Sequence, residues 1–492
     1  MSTIQFPSPQ NHILPHQIMF TYPQNSSGKP SSLKRVMGAL FGLAVGDVLG
    51  VGVGFRSGDC FGHCPVTGIK KGGTQSLNPG QWTDNTSMCL CLASSFITKK
   101  SFDPYNQMVR YKWWFKKGFL SSTGQCFNIN NATRQALDEF CRRQDTLKKA
   151  YHMNTDDEVD DLSLEKVRAI KKFNLKCGST STTGSGVLMY LAPIPLFYFR
   201  SPEYAVNYAG RSASLFQDNI KVLDACRYYA ALIVAAIRGE KKERLLDNHF
   251  YEDHRSWFGA KEIHPEILRI AQGSYKRPRG YEDGIRGKGY IVDTLEAALW
   301  VFCYDNNSFE KGFSDAVRLG ENNDTTAIIY GQLAGAYYGY QQIPECWLRQ
   351  LYASSLIACV GHWLHLLGQE QSPTEQESPK LRPKKSIPTK NHQRNHQKVN
   401  DITLASNETQ STSKLSNNSL LIDIPYTRTP HAEIPNNHHV TTTDNSQFRY
   451  PYSDSILNTD FNRYQYMERP LGHNYNGSSY YPTIYSPYRH YL

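Results

Sequence analysis

The chain has 492 residues, a formal net charge of +10, 39% hydrophobic residues and 11 cysteines. An odd number of cysteines scattered along the sequence excludes a closed disulfide framework and fits a reducing compartment. The longest apolar stretch, Val187 to Phe199, contains two prolines and is too short to span a bilayer, and no basic start followed by an apolar core opens the chain, so the expectation is an intracellular protein, cytoplasmic or nuclear, with no membrane segment.

Residues 1–32 are rich in Pro, Ser, Asn and Gln, carry a single charge at Lys29, and are expected to form a disordered tail. The amphipathic segments begin at Leu33 and end at Gly368, which places one large domain at residues 33–368. Its first helix carries Gly38, Gly42, Gly46 and Gly50 at four-residue spacing, a bare stripe on one face. Each such glycine costs about 1 kcal/mol of helix propensity relative to Ala, and close approach by a second helix is the natural compensation. Cys60, His63 and Cys64 are close together, but no second pair follows at zinc-finger spacing.

Next comes Thr83-Asp84-Asn85-Thr86, directly before an apolar run in which Met88, Cys91, Leu92, Ser95 and Phe96 share a helix face. Thr146 to Lys176, with its acidic run, reads as a charged surface excursion. Gly178 to Gly186, a stretch of Gly, Ser and Thr, lets backbone amides approach a phosphate or a sugar, and lacks the Lys-Ser/Thr ending of a P-loop. Further helices are expected over Asn207 to Phe216, Val222 to Arg238, Ile291 to Tyr304 and Cys346 to Leu367.

The second polar cluster, Asn322-Asn323-Asp324-Thr325, again opens an apolar helical run, with Gly331, Gly335 and Gly339 repeating the glycine device. As single features, both clusters read as ordinary N-caps. Together they gather carboxylate, carboxamide and hydroxyl oxygens, the ligand set of hard cations, at two helix starts that the glycine stripes bring side by side. No alternating strand pattern competes, so the domain is expected to be all-α. Beyond residue 368 the apolar runs stop. Residues 369–492 form an expected disordered tail holding a basic segment between Lys380 and Lys398 and, between Tyr450 and Tyr491, ten of the 31 tyrosines.

Taken in order, the glycine-striped opening helix, Trp82 to Met88, Gly184-Ser185-Gly186 with Ala192-Pro193 after it, Asp224-Ala-Cys226, Val292 to Ala298, and Gly320 to Gly339 resemble the ADP-ribosylglycohydrolase family. The resemblance covers about Leu33 to Tyr340. It implies an all-α fold around a binuclear Mg²⁺ centre and, in active members, removal of ADP-ribose from modified side chains or small molecules. It assigns Thr83, Asp84, Asn85, Asn322, Asp324 and Thr325 to the metal, Asp84 and Asp324 to the catalytic centre, and Gly184, Ser185 and Gly186 to the ADP-ribose.

Departures from the family pattern are concentrated where the chemistry would occur. Asn85 and Asn322 stand where relatives carry aspartates, and Gly54 stands where the opening helix of relatives ends in a glutamate. Tyr190 replaces an arginine and Gln217 a histidine. Two negative charges suit one divalent ion rather than two, and a missing proton-handling carboxylate forfeits the roughly 10²- to 10⁴-fold contribution of general acid–base help. The expected function is recognition of ADP-ribose or an ADP-ribosylated protein by a domain with impaired hydrolysis and one weakly bound Mg²⁺ or none. Two alternatives stand beside it. One is a working Mg²⁺-dependent hydrolase using Asp84, Asp324 and Glu321. The other is a scaffold whose basic, tyrosine-rich tail contacts RNA, a nucleic-acid partner.

Overall fold

The computed structural model describes residues 4–23, 31–50, 77–319 and 323–371. Among these residues there is no β-strand, only two isolated bridges, Ser179 with Gln217 and Gly184 with Tyr290. Ten helices run for ten residues or more: α1 (Ser31–Gly50), α2 (Asp84–Lys99), α3 (Pro104–Lys117), α4 (Asn131–Tyr151), α5 (Pro202–Ala213), α6 (Ile220–Arg238), α7 (Ile291–Tyr304), α8 (Phe309–Arg318), α9 (Asn323–Tyr338) and α10 (Ser354–Glu370).

At the centre α1 lies directly on α9. A methyl carbon placed on Gly46 would come within 2.7 Å of Ile328 Cα, and one on Gly38, Gly42 or Gly50 would overlap the backbone at Gly335, Gly331 or Asp324. Backbone meets backbone along the whole stripe, so the propensity lost at each glycine is recovered as close packing along the helix pair. Helices α1, α2 and α6 are apolar around nearly their whole circumference, as central helices must be, and α2 is buried from Asp84 to Ile97.

Peripheral helices are delimited by local chemistry. The Asp103 carboxylate accepts from Asn106 N at 2.9 Å, Pro104 occupies the first helical position, and Gly118 in the left-handed region (φ 67°) closes α3. Asn130 caps α4 by accepting from Thr133 N at 2.9 Å.

Several boundaries differ from the sequence reading. The segment expected as one helix over Cys346 to Leu367 is two, Glu345–Gln350 and α10, separated at Ala353, which has a left-handed backbone (φ 45°). The helix expected at Asn207 starts earlier, because Pro202 offers a preformed first turn. The charged excursion after Thr146 sends Asp160 into the domain, where it makes a buried pair with Lys112 of α3 at 2.6 Å.

The tail expected over residues 1–32 needs a larger correction. Ser31 already belongs to α1, and residues 4–23 lie against the domain, with Ile4, Pro9, Pro15 and Ile18 buried. Trp363 Nε1 donates to Thr21 O at 2.9 Å, and His16 Nδ1 and Tyr352 OH are 2.6 Å apart. Isolated apolar residues between prolines have no helical period, yet each fills a depression in the helical body. The tail expected from residue 369 starts later than drawn, since α10 continues to Glu370; residues 372–492 lie outside the described residues.

Candidate active site

The site is assembled where the Gly50 end of α1 meets the starts of α2 and α9. Thr83 is the N-cap of α2, yet its side chain does not cap its own helix. That task falls to Asp47, three residues before the end of α1 and fully buried. Asp47 Oδ2 accepts from Thr83 N at 3.0 Å, Thr86 N at 3.0 Å and Thr86 Oγ1 at 2.7 Å, while Oδ1 accepts from Thr83 Oγ1 and, at 3.5 Å, from Asn85 Nδ2. A carboxylate at a helix N-terminus is favoured by the unpaired amides and the helix dipole. Burial nevertheless pushes the Asp47 carboxyl above the ordinary range.

Asp84 follows at the first position of α2, 5% exposed. Its carboxyl is held well above the usual value, first by burial, then by the nearby Asp47 charge, and to a smaller degree by Asp324. The Asp324 charge therefore reaches Asp84, and Gly50 lies on the Asp324 backbone. The two distant polar clusters meet at the Gly50 end of α1, α9 through the glycine contact and α2 through Asp47. Asp324 Oδ1 accepts from Thr325 N at 2.8 Å, and Thr325 is buried beside it.

The glycine-rich stretch closes another side. Ser185 N donates to Gly289 O at 3.0 Å and Ile291 N to Thr183 O at 3.0 Å, fixing Thr183 to Ser185 against the segment entering α7. Gln332 of α9, fully buried, donates to Leu188 O and Met189 O and accepts from Ala192 N at 3.1 Å, so the helix that carries Asp324 also anchors the turn after Gly186. A methyl carbon on Gly186 would lie 3.4 Å from Asn130 Nδ2, and one on Gly184 would lie 3.8 Å from Gln217 Nε2. Asn128 Nδ2 points at Asp84 Oδ1 from 3.5 Å. The hydroxyl of Tyr190 and the Oε1 of Gln217 are buried without a protein partner, as is Thr326 Oγ1 in the first turn of α9. Buried polar atoms without partners are rare in folded proteins and call for an explanation, of which a bound group is one; others lie along α3, at Asn106, Gln107, Arg110 and Trp114.

The ADP-ribosylglycohydrolase family model matches residues 29–374. This chain belongs to the ADP-ribosylglycohydrolase family. It is similar to two proteins called ADP-ribosylarginine hydrolase Tri1: that of Serratia proteamaculans (29% identical over 340 residues, 69% of this chain and 81% of the relative) and that of Pseudomonas putida (32% over 323 residues, 65% and 75%). A solved structure titled ADP-ribosylglycohydrolase-related protein complex matches with a TM-score of 0.50 and 33% identity, over 69% of this chain and 99% of that one.

Within this ADP-ribosylglycohydrolase domain, Thr83, Asp84, Asn85, Asp324 and Thr325 converge, with Gly184, Ser185 and Gly186 linked to them through Asn128, Asn130 and Gln332. Asn322, Glu321 and Gly54 lie outside the described residues. Three participants were missed in the sequence. Asp47 had a signal, since an acid inside a helix that is apolar on every side must have a partner. Asn128 and Asn130 sit between helices with no period to mark them. Among the described residues, no group of three or more His, Cys, Asp and Glu side chains is placed to hold a metal ion.

Proposed function

We propose that this domain binds ADP-ribose, free or attached to a protein side chain, and that its cleavage of the glycosidic bond is impaired. The observation that carries this reading is the employment of Asp47. It adds a third carboxylate to the two counted from the sequence, but both of its oxygens are filled by the N-terminus of α2. Asp84 and Asp324 remain for a cation, flanked by neutral oxygens of Thr83, Asn85 and Thr325.

That donor set fits one hard divalent ion, and the carboxyl of Asp84, raised by burial and then by the nearby like charges, is the group a cation would return to its ionised form. Mg²⁺ bound there would orient the ribose hydroxyls and acidify a water. The protein's own groups do the rest. The amides of Gly184 and Gly186 would approach the sugar and phosphates, that of Ser185 being taken by Gly289 O, while Tyr190 and Gln217 offer the ligand a hydroxyl and an amide oxygen that have no protein partner, and Asn128 directs Asp84. Cleavage builds positive charge on the ribose and needs a proton acceptor for water. Asn85 and Asn128 are carboxamides at the places nearest Asp84 and cannot take that proton, and a second cation about 4 Å from the first would find no charge to balance it.

The names of the Tri1 relatives favour a second reading, an active hydrolase of ADP-ribosylarginine. Titration of ADP-ribose with and without Mg²⁺ by calorimetry, alongside release of ADP-ribose from an arginine-modified protein, separates the two. Saturable binding with turnover about 10³-fold or more below enzyme-like rates of ~10 s⁻¹ is expected. The triple variant Gly54→Glu, Asn85→Asp, Asn322→Asp should raise both metal affinity and turnover. Turnover near 10 s⁻¹ in the unaltered chain would establish the hydrolase reading instead.

A further inference from the structure

Outside the site, a cavity of about 330 Å³ lies between α5, α6, the start of α3 and residues 175–176. Its polar lining is one-sided: Lys176, Arg211 and Arg227 contribute three cations, and no acid lines it. Two of the cations are already neutralised, Lys176 by Asp218 at 2.9 Å and Arg227 by Asp224 at 2.7 Å. Arg211 is different. No carboxylate pairs with it among the described residues, and its guanidinium is held over the rings of Phe102 and Tyr208, 5.3 Å from each centroid. Such stacking fixes the direction of five N–H donors without using them up.

One turn before Arg211 on the same face of α5, the exposed Asn207 amide makes no side-chain hydrogen bond with the described residues and also lines the cavity. Gly210 lets the partner helix close in, because a methyl carbon there would lie 3.0 Å from Arg227 Cδ. The remaining wall is apolar, from Phe102, Leu175, Leu215 and Leu223. A preset arginine with a free amide beside it calls for a phosphate or another compact anion, and the apolar wall calls for a flat organic body attached to it. The volume is at the lower end of small-molecule sites, enough for a nucleoside monophosphate but not for a dinucleotide.

We propose that this cavity is a second ligand site, separate from the carboxylate centre, that takes a nucleoside monophosphate or a phosphorylated aromatic of that size, with the phosphate on Arg211 and Asn207. The site shares the segment 215–218 with the wall of the first, since Leu215 lines the cavity while Gln217 reaches Gly184, but its ligand chemistry does not depend on the reading given to the carboxylate centre.

Calorimetric titration of the full chain with AMP, adenosine and inorganic phosphate tests the assignment. AMP should bind saturably with a Kd below about 1 mM, and adenosine and phosphate at least about tenfold more weakly. Arg211→Glu and Asn207→Asp, both at exposed positions, should each weaken AMP about tenfold or more while leaving the melting temperature and the Mg²⁺-dependent ADP-ribose titration unchanged. Absence of AMP binding, equal binding of AMP and bare phosphate, or AMP affinity unaltered in both variants would each overturn the proposal. Loss of ADP-ribose binding together with AMP binding in these variants would reduce the two sites to one and overturn it equally.

Discussion

At the Ser31 end of the α1–α9 pair, Arg35 donates to Ala236 O and Tyr337 O, both at 2.8 Å, closing the last turns of α6 and α9 with a cation, and Ser32 Oγ lies 2.9 Å from Nε2 of the buried His365, whose ring stacks on Phe199. At the Gly50 end, Asp47 in the last turn of α1 caps the start of α2 beside Asp84, and Asp324 stands in the first turn of α9. Each charge has the sign its helix terminus prefers. The difference lies in completion: the polar groups named at the first end are paired within the protein, whereas at the second Asp84 faces like charges and Tyr190, Gln217 and Thr326 present buried atoms with no protein partner. One helix pair thus combines a closed structural end with an open chemical one.

The contrast can be broken at its hinge first. Gly42→Val forces a branched side chain into the backbone of Gly331 and should cost about 4 kcal/mol or more in urea unfolding, or prevent folding altogether. A loss below about 1 kcal/mol would mean that the helices are not in direct contact. Asp47→Ala leaves the amides of Thr83 and Thr86 and the Thr86 hydroxyl without an acceptor; a loss of about 3 kcal/mol is expected, with ADP-ribose affinity falling too because the start of α2 loses its register.

A third test uses pH at the closed end. Burial lowers the His365 pKa to about 4, from an ordinary value of 6.5, so between these values the unfolded chain binds a proton that the folded chain does not. Stability from this residue is complete above pH 6.5 and is lost as pH falls toward 4. The shift corresponds to roughly 3 kcal/mol, and His365→Gln should flatten that part of the stability profile. The smallest effect is expected from Arg35→Met, about 2 kcal/mol in unfolding with ligand titrations unchanged. Altered ligand binding in that variant would show that the two ends are coupled.

What the sequence revealed and what it hid follow the same division. Glycines at four-residue spacing carry their own explanation, so the central pair was readable from spacing, while the two polar clusters suggested one site by their matching composition rather than by any spacing that ties α2 to α9. The strap of residues 4–23 was not, because its apolar residues have no period of their own and its contacts, such as His16 with Tyr352, Thr21 with Trp363 and Leu14 with Gly124, are to segments far away in sequence. The capping role fell to Asp47 rather than to Thr83 because a carboxylate from a neighbouring helix can reach two amides and two hydroxyls at once. No local pattern in the cluster itself encodes such a remote acceptor.

The glycine contact also bears on how this chemistry can change. The seat of α9 on α1 is gauged by main-chain atoms, which point substitutions within the polar clusters do not move. Exchanging Asp for Asn at such a place rewrites the charge on an unchanged chassis, so related domains can drift between cutting a bond and merely holding its owner while the frame beneath stays the same.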